Sequence, residues 1–237
     1  IRRTIFATDN ESSRYALGGV LFEMTEDRIT AVATDGRRLA RQEGPGQSVG
    51  GHVSGDNTIV IPTKALQLIE KSLTDGAAMA QLAARENDVL LRSGMTTVYA
   101  RLVEGRFPRW RDIFPKYGEY DCIGLELPVG PFFAAVRQAA IVTSADRRGV
   151  EFAFADGHVT LTAHGAEHGD SHVELPVSYE GEPLQISLDP RYLNDFLRTM
   201  SPDKTFTLEI RGGKTAVVCV TDDGYGYVIM PMARGEK

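Results

Sequence analysis

Apolar and polar residues alternate with period two over much of the chain. The runs HVTLTAH (158–164) and TFTLEI (205–210) place every second side chain on the same face, which is typical of half-buried β-strands. Between such runs lie segments with apolar residues three or four positions apart, which indicate helices with one buried face. Many strands with a few intervening helices predict an α+β fold.

Four helices are predicted from this pattern and from capping residues. The first begins after Asp9, an N-cap candidate, and ends at the glycine pair 18–19. The second begins at Pro62, the third covers about 130–143, and the fourth has Asp189 as its cap. The residues expected to face the core are Leu66, Ile69 and Leu73 in the second helix, Phe132, Phe133, Val136 and Ala140 in the third, and Leu193, Phe196, Leu197 and Met200 in the fourth.

The chain contains an internal repeat. GVLFEMTEDRITAVATDG, from Gly19, aligns with GVEFAFADGHVTLTAHG, from Gly149, and Tyr99 aligns with Tyr227. The second and fourth helices align as well, and all three blocks keep one order at offsets of 128 to 130 residues. Such a repeat indicates two copies of one structural unit, each with antiparallel sheets backed by two helices. The predicted domains are 1–110 and 111–237.

Composition and charge narrow the function classes. Apolar residues make up 42% and charged residues 24%, which is ordinary for a globular protein. The net charge of −6 argues against a protein that coats nucleic acid, and two widely spaced cysteines favour a reduced, cytoplasmic protein. No apolar run approaches the roughly 20 residues of a membrane span. Basic residues nevertheless gather on or beside the predicted helices, where they could meet a phosphate backbone through charge alone. These are Arg14, Lys64, Lys71, Arg137, Arg147, Arg148, Arg191 and Arg198.

Candidate catalytic and metal-binding motifs are weak. His164, His168 and His172 are four residues apart, but glycines and alternating strands around them predict a hairpin loop that separates the rings. Asp35–Gly36, between two alternating runs, predicts a two-residue type I′ turn with positive φ at both residues. We therefore predict no catalytic residue, no metal and no cofactor. A hydrolase or metalloenzyme that uses the histidine loop is the alternative from another class.

Three segments carry a family resemblance. VATDGRRLA (32–40), EGRFPRWRDIFP (104–115) and YVIMPM (227–232) occur in this order on the two-copy background. Together they resemble the bacterial DNA polymerase III beta subunit, the sliding clamp. The similarity covers the whole chain but only the second and third of that family's three domains. It implies the DNA clamp fold, with sheets outside and helices on the side that faces DNA.

The resemblance also implies a function. In the family, two chains join head to tail into a ring around duplex DNA, without catalytic activity. The ring tethers the DNA polymerase III catalytic subunit, the clamp loader, other polymerases and repair proteins through short linear motifs. Without the first domain, we expect this fragment to be unable to close the ring. A free-standing two-domain clamp, similar to the trimeric eukaryotic and archaeal rings, is the second alternative.

The site residues are carried over from the family position by position. The DNA contacts implied are Arg14, Tyr15 and Lys64. The implied peptide groove lies between the two domains and receives a glutamine and apolar anchors. Its expected residues are Leu17, Thr34, Gly36, Arg37, Arg38, Leu39, Pro108, Ile113, Tyr192, Val228, Ile229, Met230, Pro231 and Met232.

Overall fold

The computed structural model describes residues 1–11, 15–50, 58–73, 79–114, 122–165 and 169–232. The chain divides into two compact units. One comprises Ile1–Pro115 with Asp223–Tyr225, and the other comprises Lys116–Asp222 with Gly226–Lys237. Arg14 and His168, both singled out in the sequence, lie outside the described residues.

The first unit consists of antiparallel sheets with a short helix between their strands. One sheet has the order β4-β1-β2-β3 and the other the order β5-β6-β7. Helix α1 follows β4 directly, with Pro62 as its N-cap residue. The elements are a 3₁₀ turn (Ile5–Ala7), β1 (Gly19–Met24), β2 (Arg28–Thr34), β3 (Arg38–Pro45), β4 (Ile59–Pro62), α1 (Thr63–Glu70), β5 (Gln81–Ala84), β6 (Asp88–Ser93), β7 (Thr96–Arg101) and α2 (Trp110–Ile113).

The second unit repeats this plan and has one longer helix, α3, of 11 residues. Its sheets have the orders β11-β10-β9-β12 and β15-β14-β13-β8, with antiparallel neighbours throughout. The elements are β8 (Ile123–Pro128), α3 (Val129–Ala139), a 3₁₀ turn (Ala140–Val142), β9 (Val150–Ala155), β10 (His158–His164), β11 (Asp170–Pro176), β12 (Leu184–Leu188), α4 (Pro190–Leu197), β13 (Thr205–Ile210), β14 (Val217–Val220) and β15 (Tyr225–Ile229). The predicted α+β class is confirmed.

The predicted first helix is wrong. Residues 9–11 and 15–18 form turns and bends, and the described helical segment nearby is the 3₁₀ turn Ile5–Ala7. The Asp9 amide donates to the Leu17 carbonyl over 2.9 Å, whereas eight helical steps would separate these residues by about 12 Å. The Asp9 carboxylate does accept a backbone N–H, from Glu11, but it does so within a tight turn. A residue type that is typical of helix N-caps is therefore found here in a closed loop.

The other three predicted helices are present, with smaller cores than expected. Leu66 and Ile69 are buried in α1, whereas Leu73 lies beyond the end of that helix and is half-buried. In α3, Phe132 and Val136 are buried and Phe133 is only half-buried; Ala140 is half-buried in the 3₁₀ turn that follows. In α4, the residues buried as expected are Leu193, Phe196 and Leu197, and Met200 is half-buried beyond its end.

An aromatic cluster forms the core of the second unit. Phe206 of β13 lies between Phe132 of α3 and Phe196 of α4, at ring-centroid distances of 5.7 and 5.4 Å. Phe196 also stacks on Tyr227 at 5.3 Å. These rings connect both helices to the sheet that ends in the segment VIMPM, so that segment is attached to a rigid support.

Candidate functional site

The loop between β2 and β3 is organised by the Asp35 carboxylate. It accepts hydrogen bonds from the backbone amides of Arg37 and Arg38, over 2.9 and 3.0 Å. Thr34 supports the loop from the other side, since its hydroxyl accepts from the Gly36 amide and donates to the Arg38 carbonyl. Gly36 alone in this loop has positive φ, of 87°. The predicted two-residue type I′ turn is therefore wrong, because Thr34 pairs with Leu39 and leaves four residues in the loop.

The second copy of the repeat does contain the predicted kind of turn. Asp156 and Gly157 have φ of 48° and 77°, and they connect the paired residues Ala155 and His158. Both central residues of a type I′ turn have this conformation. An Asp-Gly pair is thus compatible with a two-residue type I′ turn and with a four-residue loop. The hydrogen-bond partners near the pair decide which of the two forms.

Arg38 is held inside the first unit. Its guanidinium donates to the Asp35 carboxylate over 2.9 Å and to the Phe6 carbonyl over 2.7 Å, and it lies 5.4 Å from the centre of the Phe6 ring. Only 11% of its side chain is exposed. Arg37, next to it, is exposed together with Gly36. Arg37 is therefore the arginine of this loop that reaches solvent.

The remaining predicted residues of the first unit differ in exposure. Leu17, Thr34 and Leu39 are buried, and Thr34 and Leu39 face each other across the hairpin. Pro108 is half-buried, whereas Ile113, at the end of α2, exposes 45% of its surface. Among the apolar residues in this group, Ile113 is the one with substantial surface available to a ligand.

The predicted residues of the second unit lie along β15 and the segment after it. Val228 and Ile229 are buried, Met230 is 47% exposed, and Pro231 and Met232 are half-buried. The Met232 amide donates to the Ser187 carbonyl over 2.8 Å, which fixes the backbone beyond the strand. Tyr192, in α4, is half-buried, and its carbonyl accepts a hydrogen bond from the Tyr227 hydroxyl. The backbone of the segment is therefore anchored at Met232, and its surface is apolar.

The predicted DNA contacts that the structure describes are exposed. Tyr15 exposes 41% of its surface, and Lys64 lies on the exposed side of α1. In the second unit, Arg137 of α3, Arg191 of α4 and Arg198 at the end of α4 are exposed as well. These cations are accessible to a large anionic ligand.

The structure gives little support to the alternative of a hydrolase or metalloenzyme that uses the histidine loop. His164 pairs with Asp170 at 2.9 Å and His172 with Glu174 at 3.1 Å, and both pairs are exposed. Within the described ranges, no group of three or more His, Cys, Asp or Glu side chains is placed to hold a metal ion. Burial raises the pKa of the Cys219 thiol, which suppresses the reactive thiolate. No helix in the described part of the chain is long and apolar enough to cross a membrane.

Two family descriptions match the chain in succession. "DNA polymerase III beta subunit, central domain" matches residues 1–109, and "DNA polymerase III beta subunit, C-terminal domain" matches residues 111–233. The chain belongs to the DNA polymerase III beta subunit family. The resemblance drawn from the three sequence segments is thus confirmed.

Relatives within the DNA polymerase III beta subunit family are distant in sequence but match this chain over almost its whole length. The beta sliding clamp of Chlamydia pneumoniae is 31% identical over 233 residues, which are 98% of this chain and 61% of that protein. The beta sliding clamp of Pseudomonas putida is 28% identical over 235 residues, or 98% and 62%. The chain therefore spans a little over three fifths of the length of these relatives.

Solved structures of the same family share the fold. A Caulobacter crescentus beta sliding clamp matches with a TM-score of 0.86 and 27% identity, over 98% of this chain and 62% of that one. A Pseudomonas aeruginosa sliding clamp matches with a TM-score of 0.87 and 25% identity, over 98% and 63%. The clamp fold expected from the sequence is therefore confirmed.

Sequence reasoning about this beta subunit family member missed one group of residues. Glu23 of β1 accepts hydrogen bonds from Trp110 and Arg111 of α2. Trp110 and Arg111 lie 87 and 88 positions from Glu23 in the sequence, and neither spacing nor periodicity connects them to it. One sequence signal pointed to this group: Trp110, the only tryptophan of the chain, lies within the diagnostic segment EGRFPRWRDIFP.

Proposed function

We propose that this chain is part of a DNA replication processivity factor, a non-catalytic sliding clamp that holds polymerases on duplex DNA. The observation that carries the proposal is the pair of successive family matches, central domain and then C-terminal domain, over almost the whole chain. The relatives named beta sliding clamp support it. The proposed domains are a middle clamp domain, 1–110, and a C-terminal clamp domain, 111–237.

The proposal includes a site for a short linear peptide. Met230 and Ile113 are the accessible apolar side chains among the candidates, at 47% and 45% exposure. We assign them the direct contacts with the peptide's apolar anchors, and we assign Leu17, Leu39 and Val228 a supporting role because they are buried. Methionine suits a site that accepts several partners, since its unbranched side chain adapts to different shapes.

The proposal also includes a weak, sequence-independent contact with duplex DNA. Tyr15 and Lys64 are exposed, and Arg137 of α3 and Arg198 at the end of α4 add positive charge. Arg14 belongs to this assignment by its position in the sequence. A protein with a net charge of −6 and a few basic helix positions would bind the phosphate backbone loosely enough to slide.

The partners follow from this function. We propose the DNA polymerase III catalytic subunit, the clamp loader, other polymerases and repair proteins as ligands of the peptide site. In the complete protein, we propose a homodimeric ring around DNA. Because replication takes place in the bacterial cytoplasm, cytoplasmic localisation belongs to the same proposal.

A fluorescent peptide of the type Gln-x-x-Leu-Phe tests the peptide site by fluorescence polarisation. The double variant Met230→Ala/Ile113→Ala removes two half-exposed apolar side chains with little damage to the core. Losing about 1 kcal/mol of apolar contact at each position would weaken binding roughly thirtyfold. Leu39→Ala is less informative, because its side chain is 1% exposed and its truncation would destabilise the fold as well.

Met95→Ala is the matched control, since Met95 is fully exposed in the β6–β7 turn of the first unit. It should bind the peptide as the unmodified chain does. Undiminished binding by the Met230→Ala/Ile113→Ala variant would refute the peptide-site assignment. Absence of peptide binding by the unmodified chain would refute the proposed tethering role.

A further inference from the structure

Helix α2 is too short to be stable by itself. It has four residues and no side-chain cap at its N-terminus, and it ends with a backbone bond from the Phe114 amide to the Trp110 carbonyl at 2.9 Å. Isolated helices of fewer than about 12 residues are marginal in water. Tertiary contacts must therefore fix its conformation and its orientation.

The carboxylate of Glu23, on β1, is the polar anchor of this turn. It accepts two hydrogen bonds from the Arg111 guanidinium, at 3.0 and 2.6 Å, and one from the Trp110 indole N–H at 3.3 Å. The Arg111 guanidinium also lies 4.5 Å from the centre of the Trp110 ring. A two-pronged arginine–carboxylate bond fixes orientation as well as distance. The three groups therefore hold α2 in one orientation on the sheet.

A second contact fixes the other end of α2. The Arg41 guanidinium, from β3, lies 4.3 Å from the centre of the Phe114 ring and pairs with Glu43 at 3.3 Å. Trp110 and Phe114 are both buried, at 7% and 8% exposure. With these two rings against the sheet, Ile113 is left 45% exposed.

We propose that Glu23 is a positioning residue of the peptide site: it orients α2 so that the Ile113 side chain is presented to a bound peptide. The inference rests on the proposed function, in which Ile113 contacts a peptide anchor. Exposed ion pairs contribute little to stability. The expected role of this pair is therefore the orientation of a single turn.

Glu23→Gln tests the inference, because glutamine keeps the size of the side chain and removes its charge. We expect the affinity for the Gln-x-x-Leu-Phe peptide to fall about fivefold, which corresponds to losing the roughly 1 kcal/mol assigned to the Ile113 contact. Arg111→Gln removes the same ion pair by changing the other partner, and it should lower the peptide affinity by the same factor. Acrylamide should quench Trp110 fluorescence more strongly in both variants, without any peptide present.

Glu70→Gln is the matched control. The Arg2–Glu70 pair has a 3.1 Å contact and side-chain exposures of 78% and 27%, close to the 67% and 26% of Arg111 and Glu23. Loss of this exposed pair should change peptide affinity by less than about twofold. It should leave the quenching of Trp110 unchanged.

A double-mutant cycle separates positioning from general stability. If Glu23 acts through Ile113, Glu23→Gln should change affinity by less than about twofold in the Ile113→Ala background, because the contact that it orients is gone. A full fivefold loss in that background would overturn the inference. So would a Glu23→Gln variant that binds as tightly as Glu70→Gln. If the unmodified chain binds no peptide, the proposed function fails and the positioning role fails with it.

Discussion

Removal of the Asp35 carboxylate should destabilise the first unit far more than is usual for a loop residue. Asp35 accepts hydrogen bonds from two backbone amides of its own loop and from the Arg38 guanidinium, all at 2.9 to 3.0 Å. Its side chain is 17% exposed and that of Arg38 is 11% exposed. The Asp35→Ala variant would therefore leave two backbone donors and a nearly buried cation with fewer partners.

The magnitude follows from these contacts. Each lost hydrogen bond is worth about 0.5–1.5 kcal/mol, so three together predict a loss of about 2–4 kcal/mol in the free energy of unfolding. Arg38 keeps its bond to the Phe6 carbonyl, which limits the electrostatic part of the loss. Asp35→Asn should lose only about 1–2 kcal/mol, because the amide oxygen can still accept from the backbone.

Urea unfolding followed by Trp110 fluorescence measures the effect. Trp110 is the only tryptophan of the chain and belongs to the first unit, so its emission reports on that unit. Asp27→Ala is the control: Asp27 is exposed in the β1–β2 turn and accepts a 3.2 Å bond from the Thr25 hydroxyl. It should cost less than about 1 kcal/mol. Equal losses for Asp35→Ala and Asp27→Ala would refute the organising role of Asp35.

Four further outcomes are expected. Ellman's reagent should modify Cys122 but not Cys219 in the folded chain at mildly alkaline pH, since Cys122 is exposed and burial raises the pKa of the Cys219 thiol. Only the unfolded chain can then release the Cys219 proton, so the urea midpoint should fall as the pH rises above the ordinary thiol pKa. Asp189→Ala should cost more than about 1 kcal/mol by circular dichroism in urea, as it removes the N-cap of α4 and the ion pair with Arg191. Gly19→Ala should cost more than about 2 kcal/mol in the same titration, because its Cβ would lie 2.4 Å from the Ile61 carbonyl oxygen.

Much of the fold is predictable from local pattern. The N-cap at Asp189 and the type I′ turn at Asp156–Gly157 depend on residues next to each other in the chain. The period-two runs became strands β10 and β13, with every second side chain buried. In these cases the side chain that determines the conformation lies within a few residues of the backbone that adopts it, so sequence alone carries the information.

The same local signals failed where distant partners compete. The sequence predicted a helix cap at Asp9 and a type I′ turn at Asp35. In the structure, Asp9 lies in a loop closed by its hydrogen bond to Leu17, and the Asp35 carboxylate accepts a hydrogen bond from Arg38. Arg38 in turn is held by the Phe6 carbonyl, 32 positions away. Capping and turn preferences amount to about 1 kcal/mol, which one or two hydrogen bonds of this kind can outweigh.

The sequence by itself determined the two-copy organisation, the α+β class and, through three short segments, the family. Those properties are encoded in hydrophobic periodicity and in contiguous motifs. Only the tertiary structure decided which candidate residues are accessible: Leu39 is buried and Arg38 nearly so, while Ile113 and Met230 are about half exposed. The tertiary structure also decided that Glu23 of β1 contacts Trp110 and Arg111 of α2. Exposure and such contacts depend on which strands and turns pack together, and residue type does not specify that packing.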